Sequence, residues 1–234
     1  MSRLSIKLFL IFAIGLSACQ PSTPESNTQT TTAAPETQFA DFYIRYLQEE
    51  GQLRAEATFR KGKSLKESEP MTFSSVFFEG GAMELRDLRN RGIRYKSERS
   101  GTYNSNFAFK IQPESGEGEE YELGMSPVDN FTATVPFSKT KGASLSWQGD
   151  ALQADEQLVA FFVDKDNKAH LFDFKGPIAN NSIVLAAEKL AAVPSGQGKL
   201  YLVKKRAQKE EKDQKQIKSL IEFYTHTVAV ELVN

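Results

Sequence analysis

After Gln38, apolar and polar residues alternate along most of this chain, and few architectures accept that pattern. Phe42, Ile44 and Tyr46 alternate with Asp41, Tyr43 and Arg45, and Leu53, Ala55, Ala57 and Phe59 with Gln52, Arg54, Glu56 and Thr58. Successive side chains of a strand point to opposite faces, so each run reads as a strand with one face buried. Glu49-Glu50-Gly51 lies between them and supplies a turn, which makes the pair a β-hairpin. Met71 to Phe78, closed by Gly80-Gly81, is a further strand candidate, as are Ile93 to Ser97, Asn106 to Gln112 and Phe131 to Val135. Glu114 to Glu122 is rich in acid and glycine and reads as an exposed loop running into a strand.

Ser138-Lys139-Thr140-Lys141-Gly142 has no apolar anchor and reads as a domain boundary. A second strand set follows. Ser144 to Gln148 opens it, and Gln157 to Val163 with Ala169 to Phe174 flank the turn-rich Asp164 to Lys168. Ser182 to Ala186, Lys199 to Val203 and Ile221 to Leu232 complete it. Many short strands with regularly spaced turn signals predict an all-β fold of one or two β-sandwich modules. The stretch from Leu145-Ser146-Trp147 to Leu200-Tyr201-Leu202 resembles an immunoglobulin or fibronectin-III sandwich. That resemblance implies a tryptophan strand facing a Leu-Tyr-Leu strand across the core. The expected modules are residues 39–138 and 143–234. The exception to the strand pattern is Lys204 to Leu220. It is rich in Lys, Glu, Gln and Ala, which favour helices, and Glu211 and Lys215 have helix-pair spacing, so it predicts a solvated helix.

The first residues have a different character. Arg3 and Lys7 precede the apolar run Leu8 to Ile14, the layout of a secretory leader. The run falls well short of the ~20 residues a spanning helix needs. Leu16-Ser17-Ala18-Cys19 follows and resembles the lipobox of bacterial lipoproteins. The resemblance implies that residues 1–18 are a cleaved signal peptide. It also implies that the Cys19 thiol carries a diacylglyceryl group, with the new amino terminus usually acylated as well. Two or more acyl chains hold a protein stably on a bilayer, at ~0.8 kcal/mol per buried CH₂. Gln20 to Gln38 contains Pro, Ser, Thr, Gln and Ala but no large apolar side chain, so residues 19–38 read as a disordered tether. No Asp follows Cys19, which by the enterobacterial pattern favours the outer membrane, with the body periplasmic or surface-exposed.

The remaining chemistry is sparse. The chain has 29 Lys and Arg against 30 Asp and Glu, and losing Arg3 and Lys7 with the leader takes the formal charge from −1 to −3. That balance lacks the basic excess of a nucleic-acid binder. Cys19 is the single cysteine, so no intrachain disulfide is available. Asp164-x-Asp166-Asn167 has the opening of a calcium loop. Ala169 and Lys175 stand where that loop needs Gly and a bidentate Glu, and hairpin-turn chemistry accounts for the acids. His170 and His226, the two histidines, lie in separate strands and make a poor zinc pair. Ser195-Gly196-Gln197-Gly198 is a glycine turn rather than a nucleophile elbow. Tyr43, Tyr95 and Tyr103 have polar neighbours in alternation and are the candidates for an exposed aromatic patch.

These observations assign no catalytic, cofactor-binding or metal-ligating residue and one modified residue, Cys19. The expected function is a lipid-anchored envelope protein, more readily a non-catalytic binding or assembly component than an enzyme. Its expected partners are the membrane, through the lipid on Cys19, and an envelope protein or glycan. A glycan-acting hydrolase or a carbohydrate-binding surface lipoprotein is the alternative.

Overall fold

The structure, a computed structural model, describes residues 36–89 and 92–234. The leader, Cys19 and nearly all of the tether therefore lie outside the described residues. Among the described residues no helix is long and apolar enough to cross a membrane.

The alternation becomes strands where it was expected. β1 (Thr37–Leu47) and β2 (Gln52–Gly62) pair antiparallel around Gly51, whose φ of 59° suits glycine. β3 (Ser68–Pro70) pairs with the end of β2. β4 (Ser75–Phe78) begins later than the expected Met71. β5 (Gly81–Ala82), β6 (Glu84–Asp87), β7 (Ile93–Ser100), β8 (Asn106–Gln112), β9 (Glu119–Gly124) and β10 (Asp129–Ala133) follow. β11 (Phe137–Ser138), β12 (Ala143–Gln148), β13 (Glu156–Val163), β14 (Ala169–Lys175) and β15 (Ser182–Leu185) come next. One helical turn, α1 (Ala187–Leu190), precedes β16 (Gly196–Lys212), β17 (Lys215–Tyr224) and β18 (Val228–Val233).

Lys204 to Leu220 is not a helix. It is most of the hairpin formed by β16 and β17, paired from Val203↔Tyr224 to Lys212↔Lys215. Asp213 and Gln214 form its loop with φ of 49° and 61°, the double left-handed conformation of a type I′ turn. Helix preference amounts to a few tenths of a kcal/mol per residue. Here it loses to a continuous ladder whose inward residues, among them Leu200, Leu202, Ile221 and Phe223, are buried. The run Ile221 to Leu232 is interrupted at Thr225. Its Oγ1 accepts from the Leu202 amide, and its own amide donates to the Leu202 carbonyl. β17 and β18 thus lie in tandem along one edge of β16, with β13 along the other.

The strands form an eleven-stranded mixed sheet and two smaller antiparallel ones, of order β10-β12-β15 and β5-β4-β8-β9. Along the large sheet, β14-β13-β16-β17-β1-β2-β7-β6 are successive neighbours. The two small sheets contribute to the same apolar cluster as its inner face, giving an all-β sandwich. Phe42 of β1 lies 4.7 Å from Phe109 of β8 and 5.0 Å from Tyr121 of β9, ring centre to ring centre. Trp147 of β12 is buried in the same apolar cluster as Leu200 and Leu202 of β16, which lies in a different sheet.

The expected boundary at residues 138–142 does not separate two sheets. β1, from the first expected module, runs parallel to β17, from the second, with register from Gln38↔Lys215 to Leu47↔Tyr224. Ala34–Asn234 form one compact unit. The polar run is a turn: Ser138 and Gly142 exchange backbone hydrogen bonds, and Ser138 Oγ accepts from the amides of Thr140 and Lys141. It lacks apolar anchors because it is a surface turn.

Phe109 is fully buried and touches Phe42 and Phe78, so it links a small sheet to the large one. Phe109→Ala should cost about 3–5 kcal/mol by chemical denaturation, through lost transfer energy and the cavity left behind.

Candidate binding face of the long sheet

The large sheet buries one face and turns the other to solvent. Register fixes which side chains share the solvent face. Tyr43, Arg45 and Leu47 of β1 stand beside Leu220, Glu222 and Tyr224 of β17. Lys205 of β16 stands beside Glu222, and Arg54 of β2 beside Arg45.

Glu222 is the hub of this face. It is buried, at 5% exposure, although it points away from the core. Its Oε2 accepts from Tyr43 Oη at 2.7 Å, from Arg45 Nε and Nη2 at 3.3 and 3.2 Å, and from Tyr224 Oη at 3.2 Å. Lys205 Nζ lies 3.2 Å from Oε1. Burial pushes the carboxyl upward. The hydrogen bond from Tyr43 and the charges of Lys205 and Arg45 outweigh it, leaving the group below the ordinary glutamate value and ionised. The same arrangement holds the phenols neutral. Burial and then the adjacent Glu222 charge raise Tyr224 to about 12, and burial with the Glu222 hydrogen bond raises Tyr43 further still.

Aromatic rings continue the lattice across the strands. Phe161 of β13 and Tyr201 of β16 stack at 4.9 Å with planes 8° apart, and Tyr201 is 6.5 Å from Tyr224. The Arg45 guanidinium then lies 5.2 Å from the Tyr224 ring centre and 5.4 Å from that of Tyr43. Phe161 and Tyr201, close and nearly parallel, cover one another's facing ring surfaces. A flat platform for a sugar ring needs open faces.

Beside the ladder, Glu56 of β2 is held by Arg54 Nε at 2.7 Å and by Arg94 Nη1 at 2.6 Å. Next to it the sheet forms a groove of about 670 Å³, lined by side chains of β1, β2, β7, β16 and β17.

On the inner side, Lys204 and Glu156 make a buried ion pair at 3.0 Å, with 1% and 2% of their side chains exposed. Lys204 also donates to Ser126 Oγ, and Glu156 accepts from the Gln153 amide. This pair ties β13 and β16 to the segment before β10 and has no solvent access.

The residues singled out from sequence fall in different places. Cys19 lies outside the described residues. Tyr43 joins the hub. Tyr95 is buried and its hydroxyl bonds to the Phe73 backbone, so it is not an exposed aromatic. Tyr103 packs between Phe107 and Phe223 and donates to the Met125 carbonyl. Asp164 closes its own turn. Oδ1 accepts from the Asp166 and Lys168 amides, and Oδ2 lies 2.8 Å from His170 Nε2. The His170 hydrogen bond is the largest influence and lowers the Asp164 carboxyl despite desolvation. His226 lies elsewhere, with Nδ1 at 3.3 Å from Gln48 Oε1 and its ring 5.3 Å from Phe131. Among the described residues no three His, Cys, Asp or Glu side chains gather as a metal site would require. Glu222, Arg45, Lys205 and the ladder carried no sequence signal. Their proximity depends on a pairing between strands at opposite ends of the chain.

The depressed Glu222 carboxyl makes a pH-dependent contribution. A lowered folded-state value means stabilisation that is complete above the unfolded-state value and is lost as pH falls through the folded one. Glu222→Gln should cost roughly 1.5–3 kcal/mol at neutral pH, the range for hydrogen bonds to a charged group. The gap between variant and wild type in urea denaturation should close as the pH is taken below the carboxylate range. The substitution should also let Tyr43 and Tyr224 ionise earlier in an alkaline absorbance titration.

No protein-family model matches the chain and no curated protein matches it.

Proposed function

We propose that this protein is a lipid-anchored component of the bacterial cell envelope, held through Cys19, that binds an envelope partner with the solvent face of its long sheet and performs no catalysis. The leader, the lipobox-like Leu16-Ser17-Ala18-Cys19 and the polar tether support the anchor, and the tether reaches the body at β1. The absence of Asp after Cys19 favours the outer membrane, with the body periplasmic or at the surface. One observation carries the binding reading: a ladder of half-exposed Phe, Tyr and Arg side chains lies on a sheet face already locked by ion pairs and hydrogen bonds. Tyr and Arg are the residues that dominate recognition surfaces, and locked side chains lose little entropy on association.

The buried carboxylates favour the same reading over a hydrolase. Glycoside hydrolysis needs one carboxyl group poised to donate a proton, with a raised pKa. Among the described residues the buried acids are Glu56, Glu156, Asp164 and Glu222, and each already accepts from cations or N–H groups.

Two measurements on intact cells test the proposal. Metabolic labelling with an alkyne fatty acid should mark the wild type and fractionate it with membranes. Cys19→Ser should lose both properties, and a labelled, membrane-bound Cys19→Ser would refute the anchor. A photo-crosslinking residue at Tyr201 should capture an envelope component, whereas one at the exposed Val184 of β15 should not. Equal capture from both positions, or none, would refute the binding face.

A further inference from the structure

We infer that the groove beside the ladder is a binding site for an anionic saccharide, with the acidic group seated between Lys209 and Lys218. The inference rests on the binding role proposed for this face and names the ligand class.

The groove crosses the sheet from β16 to β7, and its volume of about 670 Å³ is within the range of small-ligand sites. Lys209 and Lys218 are direct cross-strand partners on β16 and β17. Like charges placed directly opposite each other destabilise a strand pair. Neither lysine forms an ion pair among the described residues. The acids nearby do not resolve this. Glu56 is taken by Arg54 and Arg94. Asp41 is the register partner of Lys218 across the parallel ladder, yet it makes no ion pair. The groove is thus lined by two lysines on directly opposed strand positions, and an anion bound by both would turn their repulsion into attraction.

The rest of the lining selects what the anion is attached to. Leu220 and Ala207 supply apolar surface for the CH face of a sugar ring. Thr58 and Asp41 supply a hydroxyl and a carboxylate that match ligand hydroxyls. The open shape of the groove, with Lys209, Lys218, Asp41 and Thr58 among its lining, suits a saccharide better than an acyl chain, which needs an enclosed channel. Recognition here depends on charge and hydrogen bonds, so it does not conflict with the covered ring faces of the ladder.

The test is calorimetric titration of the full-length chain, in neutral detergent, with tri-galacturonate, with its methyl ester and with mixed micelles of phosphatidylglycerol in the same detergent. Tri-galacturonate should bind and should weaken with added salt. The ester should bind at least about tenfold more weakly, a difference of about 1.4 kcal/mol. Lys209→Gln/Lys218→Gln should lose binding while the unfolding midpoint stays at or above that of the wild type, because the repulsion between the two strands is removed. Lys199→Gln, on an exposed part of β16 outside the groove, should bind as wild type does. Absence of tri-galacturonate binding, equal binding of the ester, binding that survives the double substitution, or phosphatidylglycerol binding that depends on Lys209 and Lys218 would each overturn the site. If tri-galacturonate does not bind but Tyr201 still captures an envelope component, the ligand class fails while the binding face stands.

Discussion

The parallel ladder between β1 and β17 holds the two ends of the body together, and the solvent face depends on it. Arg45 and Glu222 are 177 positions apart in the chain and meet only because these strands align. Parallel strands cannot be joined by a tight turn, so everything between them must fold as the crossover. That crossover contains both small sheets, β13, β14 and the long β16. The inner faces of β1 and β17 carry Phe42, Ile44, Ile221 and Phe223 into the core, while their outer faces assemble the hub and the groove. One register therefore sets both the packing and the site. A slip by one residue would exchange Phe42 for Tyr43 against the core and dismantle both together.

Charge is handled differently on the two faces. Inside, Lys204 and Glu156 are almost fully buried and satisfy each other with help from Ser126 and the Gln153 amide. Removing either partner would leave an uncompensated buried charge, which makes such a pair a constraint on geometry more than a source of stability. Outside, Glu222 gathers two phenols, a guanidinium and an ammonium, and Glu56 gathers two guanidiniums. These carboxylates organise their neighbours and have little capacity left for chemistry. Lys209 and Lys218 break that pattern because they face each other with no acid in contact.

Particular elements show what could be read in advance. The β1–β2 and β13–β14 hairpins were legible because each is local: alternation, a turn residue and a second alternation lie within about twenty residues. The same pattern identified β8 and β12. Lys204 to Leu220 misled because its composition favours a helix. The signal that it is a hairpin lies in the apolar residues outside that run, Leu200 and Leu202 on one side and Ile221 and Phe223 on the other. Tyr95 and Tyr103 misled for the converse reason. Polar sequence neighbours suggested exposure, but Tyr95 of β7 sits beside Ala57 of β2 and packs on Phe59, and Tyr103, in the connection from β7 to β8, packs on Phe107 and Phe223. The boundary expected at Ser138 to Gly142 failed because a surface turn and a domain linker have the same polar composition.

The sequence by itself determined the all-β class, most of the strands, and the leader-like segment with Cys19 after it. These are local patterns, written in neighbouring residues, and local geometry is enough to read them. Only the tertiary structure decided that the strands form one body, that Glu222 is a saturated hub, and that Lys209 faces Lys218 in a groove. Each of these depends on which distant strands pair and in what register. Pairing over such separations is set by the packing of the whole core and leaves no periodic trace in the chain.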